Sequence, residues 1–340
     1  MYARALELWF DKDSQKVTPI TIGILNQTYL VENSSGRFVL QKLNPIFAPD
    51  VNLDIDAFTS HLIAKGVSTT SLIKTRSGDL WGDVDGQCWR VLSFVDGDNF
   101  SALTSVAHAK EAGSLVGKFH HAMADFQHQY KFSRQNVHDT QNHLKRLKSA
   151  IETHSTHSMI DEVGSLADKM LSASQSLADL SSLPKRHSHG DLKINNIIFG
   201  KSARENSLID LDTIGFMPWP VEMGDAFRSW CNPQGENAEV VSFNEDYFEA
   251  GLTAYALEAS DLWTRKEVSL LIEGIRTIPL ELASRFLRDV LEDQYFGFDR
   301  ARFASRAEHN WLRAKGQFAL YCDIEKKQPQ LERIIKRVFA

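Results

Sequence analysis

The stretch His187-Ser-His189-Gly190-Asp191-Leu-Lys193-Ile-Asn195-Asn196-Ile-Ile-Phe199, followed by Ser207-Leu-Ile-Asp210-Leu-Asp212-Thr-Ile-Gly215, decides how this chain is read. Two short apolar runs, Asn196–Phe199 and Leu208–Leu211, flank a polar turn over residues 200–206 and are expected to pair as a hairpin. That pairing would bring Asp191, Asn196 and Asp210 to one end, near Lys193. Three oxygen-bearing side chains beside a lysine suit Mg²⁺-dependent phosphoryl transfer. The metal takes carboxylate, amide and phosphate oxygens. An acidic group orients the attacking hydroxyl, and a cation offsets the charge developing on the phosphate.

The pattern H-x-D-x-K-x-x-N, with an apolar-flanked Asp fourteen residues later, has the parts of a protein-kinase catalytic segment. On both sides of this inset the apolar residues recur at three-to-four spacing. Helices are expected over 103–131, 138–153 and 158–181 before it, and over 221–231, 243–260, 264–296 and 301–338 after it. The first hundred residues differ. Ile20–Val31 and Arg37–Leu43 read as strands joined by a turn at Asn33-Ser-Ser-Gly36. A helix is expected over Asp50–Lys65, and three further strands over 71–74, 80–83 and 88–95. The polar run Asp96-Gly-Asp-Asn99 is a suitable place to change lobes. The expected fold class is therefore α+β, with a β-rich N-terminal lobe at 1–96, a mainly helical C-terminal lobe at 97–340, and the active site between them.

Composition narrows the function. The 340 residues are 43% hydrophobic and 24% charged, as in a globular protein, and exceed what one core usually organises. The net charge of −6 argues against a nucleic-acid binder. Three dispersed cysteines (Cys88, Cys231, Cys322) offer no metal-ligand spacing and fit a reducing compartment. The N-terminus has no signal-peptide pattern, and no run approaches the roughly 20 apolar residues of a membrane span. A cytoplasmic protein, monomeric or homodimeric, with a small-molecule partner is expected.

The chain resembles the aminoglycoside phosphotransferase and choline kinase superfamily, which has a protein-kinase-like fold. Within it, the chain is most similar to the N-acetylhexosamine 1-kinase branch. The likeness is carried by Gly23 through Val31, Phe38 through Asn44, His138-Asp-Thr140, His189 through Asn196, Ile209 through Thr213 and Gly224 through Arg228. Toward the C-terminus it is carried by Arg285 through Asp289, Asp293 through Phe296, His309-Asn310 and Arg313 through Gln317. The resemblance implies ATP and Mg²⁺ as cofactors and an amino sugar as acceptor. It implies Asp191 as the catalytic, hydroxyl-orienting residue, Lys193 near the transferring phosphate, and Asn196 and Asp210 as metal ligands. His189 would orient the catalytic loop, and Asp225 would anchor it. Gly23, Asn26 and Thr28 would belong to the loop over the nucleotide phosphates, with Ser93 and Val95 in the hinge that meets the adenine. Asp212, Arg285 and Arg313 would contact the acceptor.

Two departures stand out. Only one glycine marks the phosphate loop, and the family's strand lysine falls at Gln41, with Lys42 one position on and facing the other side of the strand. Lys42 is the expected phosphate contact, and either Asp54 or Asp56 its acidic partner. Eight of the twelve histidines lie between His108 and His157, without a ligand set for zinc, and read as a solvated helical face. His138 and Asp139 read equally as pocket residues or as a helix cap. Residues 201–300 carry nine Lys and Arg against nineteen Asp and Glu, a balance that suits a cationic acceptor or simply solubility. For a neutral N-acetyl sugar, Trp219, Trp230, Asp289, Tyr295 and Asn310 join Arg285 and Arg313 as suitable types, though the aromatic ones serve equally as core. Aminoglycoside, choline and homoserine remain alternative acceptors, and a nucleotide-binding module without catalysis is the alternative of a different class.

Overall fold

The computed structural model describes residues 2–11, 15–20, 25–132 and 137–340. The chain forms two compact units. One holds Met1–Asp98, Ala122–Arg134 and Ile198–Gly215, and the other holds Asn99–His121, Gln135–Ile197 and Phe216–Ala340. The cut expected between residues 96 and 97 lies two residues before the first crossing. The returns of the chain at 122–134 and 198–215 have no counterpart in a single cut.

The first unit is built on a six-stranded antiparallel sheet. Its strands are β1 (Lys16–Ile20), β2 (Gln27–Asn33), β3 (Gly36–Lys42), β4 (Leu72–Ile73), β5 (Gly82–Val84) and β6 (Gln87–Ser93). Their order is β1-β2-β3-β6-β4, with β5 also on β6. The run expected as one strand from Ile20 is divided between β1 and β2, because alternation carries no mark of where a strand turns back on itself. The β2–β3 hairpin closes at Asn33 opposite Gly36, where Gly36 has φ +134°, a value that suits glycine. A short helix α1 (Tyr2–Leu6) supplies Ala5 and Leu6 to a core with Trp9, Val31, Leu40, Trp89 and Val91. Helix α2 (Val51–Ala64) buries Ile55, Phe58 and Leu62.

The second unit is helical. It contains α3 (Val106–Ala122), α4 (Thr140–Thr153), α5 (Ile160–Ser174), α6 (Trp219–Trp230), α7 (Glu245–Ala259), α8 (Arg265–Ser269), α9 (Leu271–Glu292) and α10 (Arg306–Val338). The helix expected through residue 131 ends at α3 and a single turn, Met123–Asp125. Beyond it Phe126, His128, Tyr130 and Phe132 alternate with polar residues, and the Asp54 carboxylate takes the main-chain N–H groups of Lys131 and Phe132, both at 2.8 Å. The helix expected over 264–296 is two, with α8 started by a Thr264/Glu267 capping box. Helix α9 runs through the core, where its Phe286 and Leu287 join Leu147, Val163, Met170 and Tyr321 in one cluster. It meets α6 backbone to backbone. A methyl group on Gly274 would stand 1.7 Å from Pro220 O, and one on Gly224 would stand 2.3 Å from Gly274 O. Only glycine at both points lets α6 sit this deep, and α6 carries the side chain that holds the turn at His189 and Gly190.

The inset spans both units. Its first strand, Lys185–Ser188, pairs with Gly215–Pro218, while Ile197–Phe199 pairs with Ser207–Leu208. The second hairpin strand is shorter than the Leu208–Leu211 expected, so Asp210 lies beyond it. No described helix is long and apolar enough to cross a membrane.

Candidate active site

In the helical unit, Glu222 on α6 is fully buried and accepts the N–H groups of His189 at 2.7 Å and Gly190 at 3.0 Å. Gly190 has φ +82°, which turns the chain so that both amides face one carboxylate. The Leu192 carbonyl accepts from Trp230 Nε1 at 2.9 Å, and the Ile194 N–H donates to Ser229 Oγ at 2.9 Å. The loop is thus fixed on both sides of Asp191 by α6. Sequence reasoning passed over Glu222, whose signal lies only in its burial. The expected anchor, Asp225, accepts Arg228 Nε and Nη2 at 3.0 and 2.9 Å on one oxygen, and the charge of Arg228 then bears on Asp191.

Asp191 itself is partly exposed. Lys193 Nζ donates to its Oδ2 at 2.5 Å, and Asn196 Nδ2 donates to its carbonyl at 2.8 Å. Burial pushes the Asp191 carboxyl up, but Lys193, by charge and hydrogen bond, and then Arg228 and His189 outweigh it and hold it at about 2. It is ionised at any working pH. The His189 ring, fully buried, accepts the Asp191 N–H through Nδ1 at 3.3 Å, an orienting role and not that of a base. Because the Asn196 amide nitrogen is committed to the loop, its amide oxygen is the atom suited to a cation.

In the β-rich unit, Asp210 is exposed and has φ +64°. Two other described residues share a positive φ without being glycine, Asp85 in a hairpin turn and Asp293 at the end of α9. Asp210 has neither excuse, and uncommon backbone of this kind gathers at functional sites. Two residues on, Asp212 is buried. Arg90 engages both its oxygens, at 2.6 and 2.9 Å, and Asn26 Nδ2 donates to Oδ2 at 2.7 Å. With both oxygens engaged inside this unit, Asp212 is a structural tie and leaves the expected acceptor set. Arg90 was missed because a single arginine in an apolar strand carries no motif.

The remaining candidates fall as follows. Gly23 lies outside the described residues. Thr28 and Gln41 face each other across β2 and β3, joined at 3.3 Å, and Gln41 Oε1 accepts Arg90 Nε at 2.9 Å. Lys42, the next residue of β3, is half-buried. Of its two expected acidic partners, Asp54 is fully buried and taken up by His128 and by the 131–132 amides. Ser93 pairs with Ser71 through its N–H and accepts the Thr70 hydroxyl on its carbonyl, while Val95 follows at intermediate exposure.

In the helical unit, Arg313 donates to Asn237 Oδ1 at 2.9 Å and to Gly297 O at 2.9 Å, and so ties two loops. Asp289 accepts the N–H groups of Gln294, Tyr295 and Phe296, together with Asn310 Nδ2. Arg285 lies 3.7 Å from Glu281 and over the Phe296 ring. Trp219 and Trp230 are core. Asp139 caps α4, accepting the Asn142 N–H at 3.0 Å, while His138 and Thr140 turn to Glu281. The histidine run is not a solvated face. His120 and His143 are buried, and His128 and His138 pair with Asp54 and Glu281.

Among the described residues no three His, Cys, Asp or Glu side chains form a metal cluster. Asn196 in the helical unit and Asp210 in the β-rich unit each carry an oxygen of the kind Mg²⁺ takes, an ion usually held by one or two protein oxygens together with substrate phosphates and water.

Residues 16–263 match the model of the phosphotransferase enzyme family APH, and the chain belongs to that family. The homoserine kinase of Nitrobacter winogradskyi is 23% identical over 222 residues, which is 62% of this chain and 62% of that protein. The chain thus spans less than two thirds of that relative's length. An aminoglycoside phosphotransferase from Alicyclobacillus acidocaldarius superposes with a TM-score of 0.62 at 13% identity, covering 97% of this chain and 96% of the other. The amicoumacin kinase hAmiN, in complex with AMP-PNP, Ca²⁺ and Ami, gives 0.61 at 14%, covering 99% and 92%. These structures share the kinase-like fold, a β-sheet N-terminal region and a mostly helical C-terminal region.

Proposed function

We propose that the protein is an ATP- and Mg²⁺-dependent small-molecule kinase. It transfers a phosphoryl group to the anomeric hydroxyl of an N-acetylhexosamine and yields the 1-phosphate. The observation that carries the kinase reading is the loop at Asp191. Its main chain is fixed by Glu222, and its carboxylate stays ionised beside Lys193.

A carboxylate held at about 2 is too weak a base to take a proton fully before transfer. Asp191 therefore orients the attacking hydroxyl by accepting its hydrogen bond. The hydroxyl proton leaves late, as suits a loose transition state in which positioning does most of the work. Lys193 offsets charge on the transferring group. Asn196 and Asp210 would hold the Mg²⁺, which when bound supplies positive charge to the phosphate oxygens. Residues 1–96 supply the sheet of the nucleotide lobe, with Asn26 and Thr28 serving the phosphates and Ser93 and Val95 the adenine; Lys42 lies on the other face of β3 from Gln41 and Thr28 and leaves the phosphate set. Gly23 is assigned to the phosphate loop by resemblance alone. The helical unit, which is residues 99–340 without the returns at 122–134 and 198–215, forms the acceptor lobe, where Arg285 faces the acceptor and Arg313 shapes its loops.

Homoserine is the second reading, favoured by the homoserine kinase relative. ADP release with ATP and Mg²⁺ across GlcNAc, GalNAc, glucose, choline, homoserine and kanamycin separates the two. Turnover confined to the N-acetyl sugars, with an acid-labile product, supports the first. Turnover on homoserine alone replaces it with the second. ATP binding with no turnover on any acceptor would support a module without catalysis.

A further inference from the structure

Arg90 is 1% exposed, on β6 opposite Gln41 of β3. Its guanidinium is fully engaged. Nε and Nη2 donate to Gln41 Oε1 at 2.9 and 2.7 Å, Nη1 donates to Asn52 Oδ1 at 3.3 Å, and Nη1 and Nη2 grip the two oxygens of Asp212. Asp212 accepts in addition from Asn26, whose own side-chain oxygen takes the Asn44 N–H at 2.8 Å. Arg90 thus has no direction left in which to reach a phosphate. Its work is internal. A buried pair of this kind adds little net stability, because taking two charges out of water costs about what their attraction returns. A planar two-pronged grip does, however, fix the orientation of the carboxylate it holds.

That carboxylate is two residues from Asp210, whose exposed side chain stands on left-handed backbone with its strand already ended. Free in solution, such a segment would sample many directions. The Arg90 grip, with the Ser68–Ser207 hydroxyl contact and the bond from Thr69 Oγ1 to Leu208 O, leaves it few.

We propose that Arg90 is the positioning residue for Asp210. It clamps Asp212 to the sheet so that the Asp210 carboxylate is presented in one orientation to the divalent cation accompanying the nucleotide. The inference rests on the reading of Asp210 as a metal ligand.

The test measures nucleotide affinity of the full-length protein by calorimetry, with ADP in Mg²⁺ and with ADP in EDTA. The ratio of the two affinities is the metal-dependent gain. Arg90→Met and Arg90→Lys are expected to cut this gain about 10-fold or more, the usual effect of losing a partner that orients a metal ligand, and to leave the affinity in EDTA unchanged. Lysine keeps the charge but cannot reproduce the grip, so it should not rescue. The double variant Arg90→Met/Asp212→Leu removes both buried charges. It should recover thermal stability relative to Arg90→Met without recovering the gain.

Asp210→Ala is measured alongside. If Asp210→Ala has lost the gain while both Arg90 variants retain it, the role of Arg90 is overturned and that of Asp210 stands. If Asp210→Ala retains it, the metal-ligand assignment fails and Arg90 has nothing to position. Recovery of both stability and gain in the double variant would also overturn the proposal, by showing that Arg90 acts through stability alone. Should Arg90→Met fail to fold, Arg90→Lys carries the test.

Discussion

Lys193 Nζ lies 2.5 Å from Asp191 Oδ2, two residues apart on one loop. The pair is the main reason the Asp191 carboxyl sits near 2 against the push of its own burial. Removing Lys193 takes away the largest opposing influence, so the carboxyl should rise by about 1–3 units. Since Asp191 must be ionised to orient a hydroxyl, Lys193→Met should move the acid limb of the kcat–pH profile upward and lower the plateau. A profile with an unmoved acid limb would remove the lysine from this role.

Asp191→Asn keeps the shape of the side chain and deletes its charge. Loss of a positioned proton acceptor costs about 10²–10⁴ in rate. Turnover should fall by that order, while the affinity for ATP, measured by direct binding, stays near that of the wild type. Unchanged kcat would mean that another group orients the acceptor.

Glu222→Ala leaves the buried N–H groups of His189 and Gly190 without a partner. About 2–5 kcal/mol of stability should go with them, because a buried donor stripped of a charged acceptor keeps its full desolvation cost. Thermal unfolding measures the loss, and kcat should fall with it as the loop around Asp191 loosens. Glu222→Gln retains one acceptor oxygen and should lie between the wild type and Glu222→Ala on both scales.

Gly274→Ala tests the contact between α6 and α9. The added methyl would need the space of the Pro220 carbonyl, so the helices must part. Overpacking of this kind costs about 1–3 kcal/mol, and more when backbone must move. A lower melting temperature together with reduced kcat is expected, since α6 carries Glu222.

His309 supplies a pH dependence of stability. Burial, then the charges of Arg313 and Arg302, lower its pKa from 6.5 to about 4. The unfolded chain therefore binds a proton that the folded chain refuses. Stability from this group is complete above about 6.5 and is lost as the pH falls from there toward 4, by about 2–3 kcal/mol. Denaturant unfolding of the wild type and of His309→Asn across this window checks it, and the variant should show a shallower decline.

How much of the site was legible follows from chain distance. Asp191, Lys193 and Asn196 lie within six residues, and the turn that joins them is set by Gly190 and a three-residue 3-10 turn, so spacing alone shows that they lie together. Glu222 and Arg90 were invisible for the opposite reason. Glu222 lies 32 residues beyond the Gly190 amide it accepts, and Arg90 lies 122 residues before Asp212. A lone acid in a helix and a lone arginine in a strand look like surface residues until the fold buries them. Asp212 was misread through the same gap. Its neighbour Asp210 is exposed, and nothing local shows that two residues later the chain has turned inward to Arg90.

Local sequence carried the α+β class, the β2–β3 hairpin turn and most helix positions. Each of these depends on periodicity or on residues a few positions apart. Tertiary structure decided where β1 ends and β2 begins, the end of α3 before residue 126, the return of 122–134 and 198–215 to the β-rich unit, and the buried partners of Asp212 and of the 189–190 amides. Those outcomes turn on which polar groups are taken out of water together. Desolvation is a property of the folded surface and leaves no periodic trace along the chain.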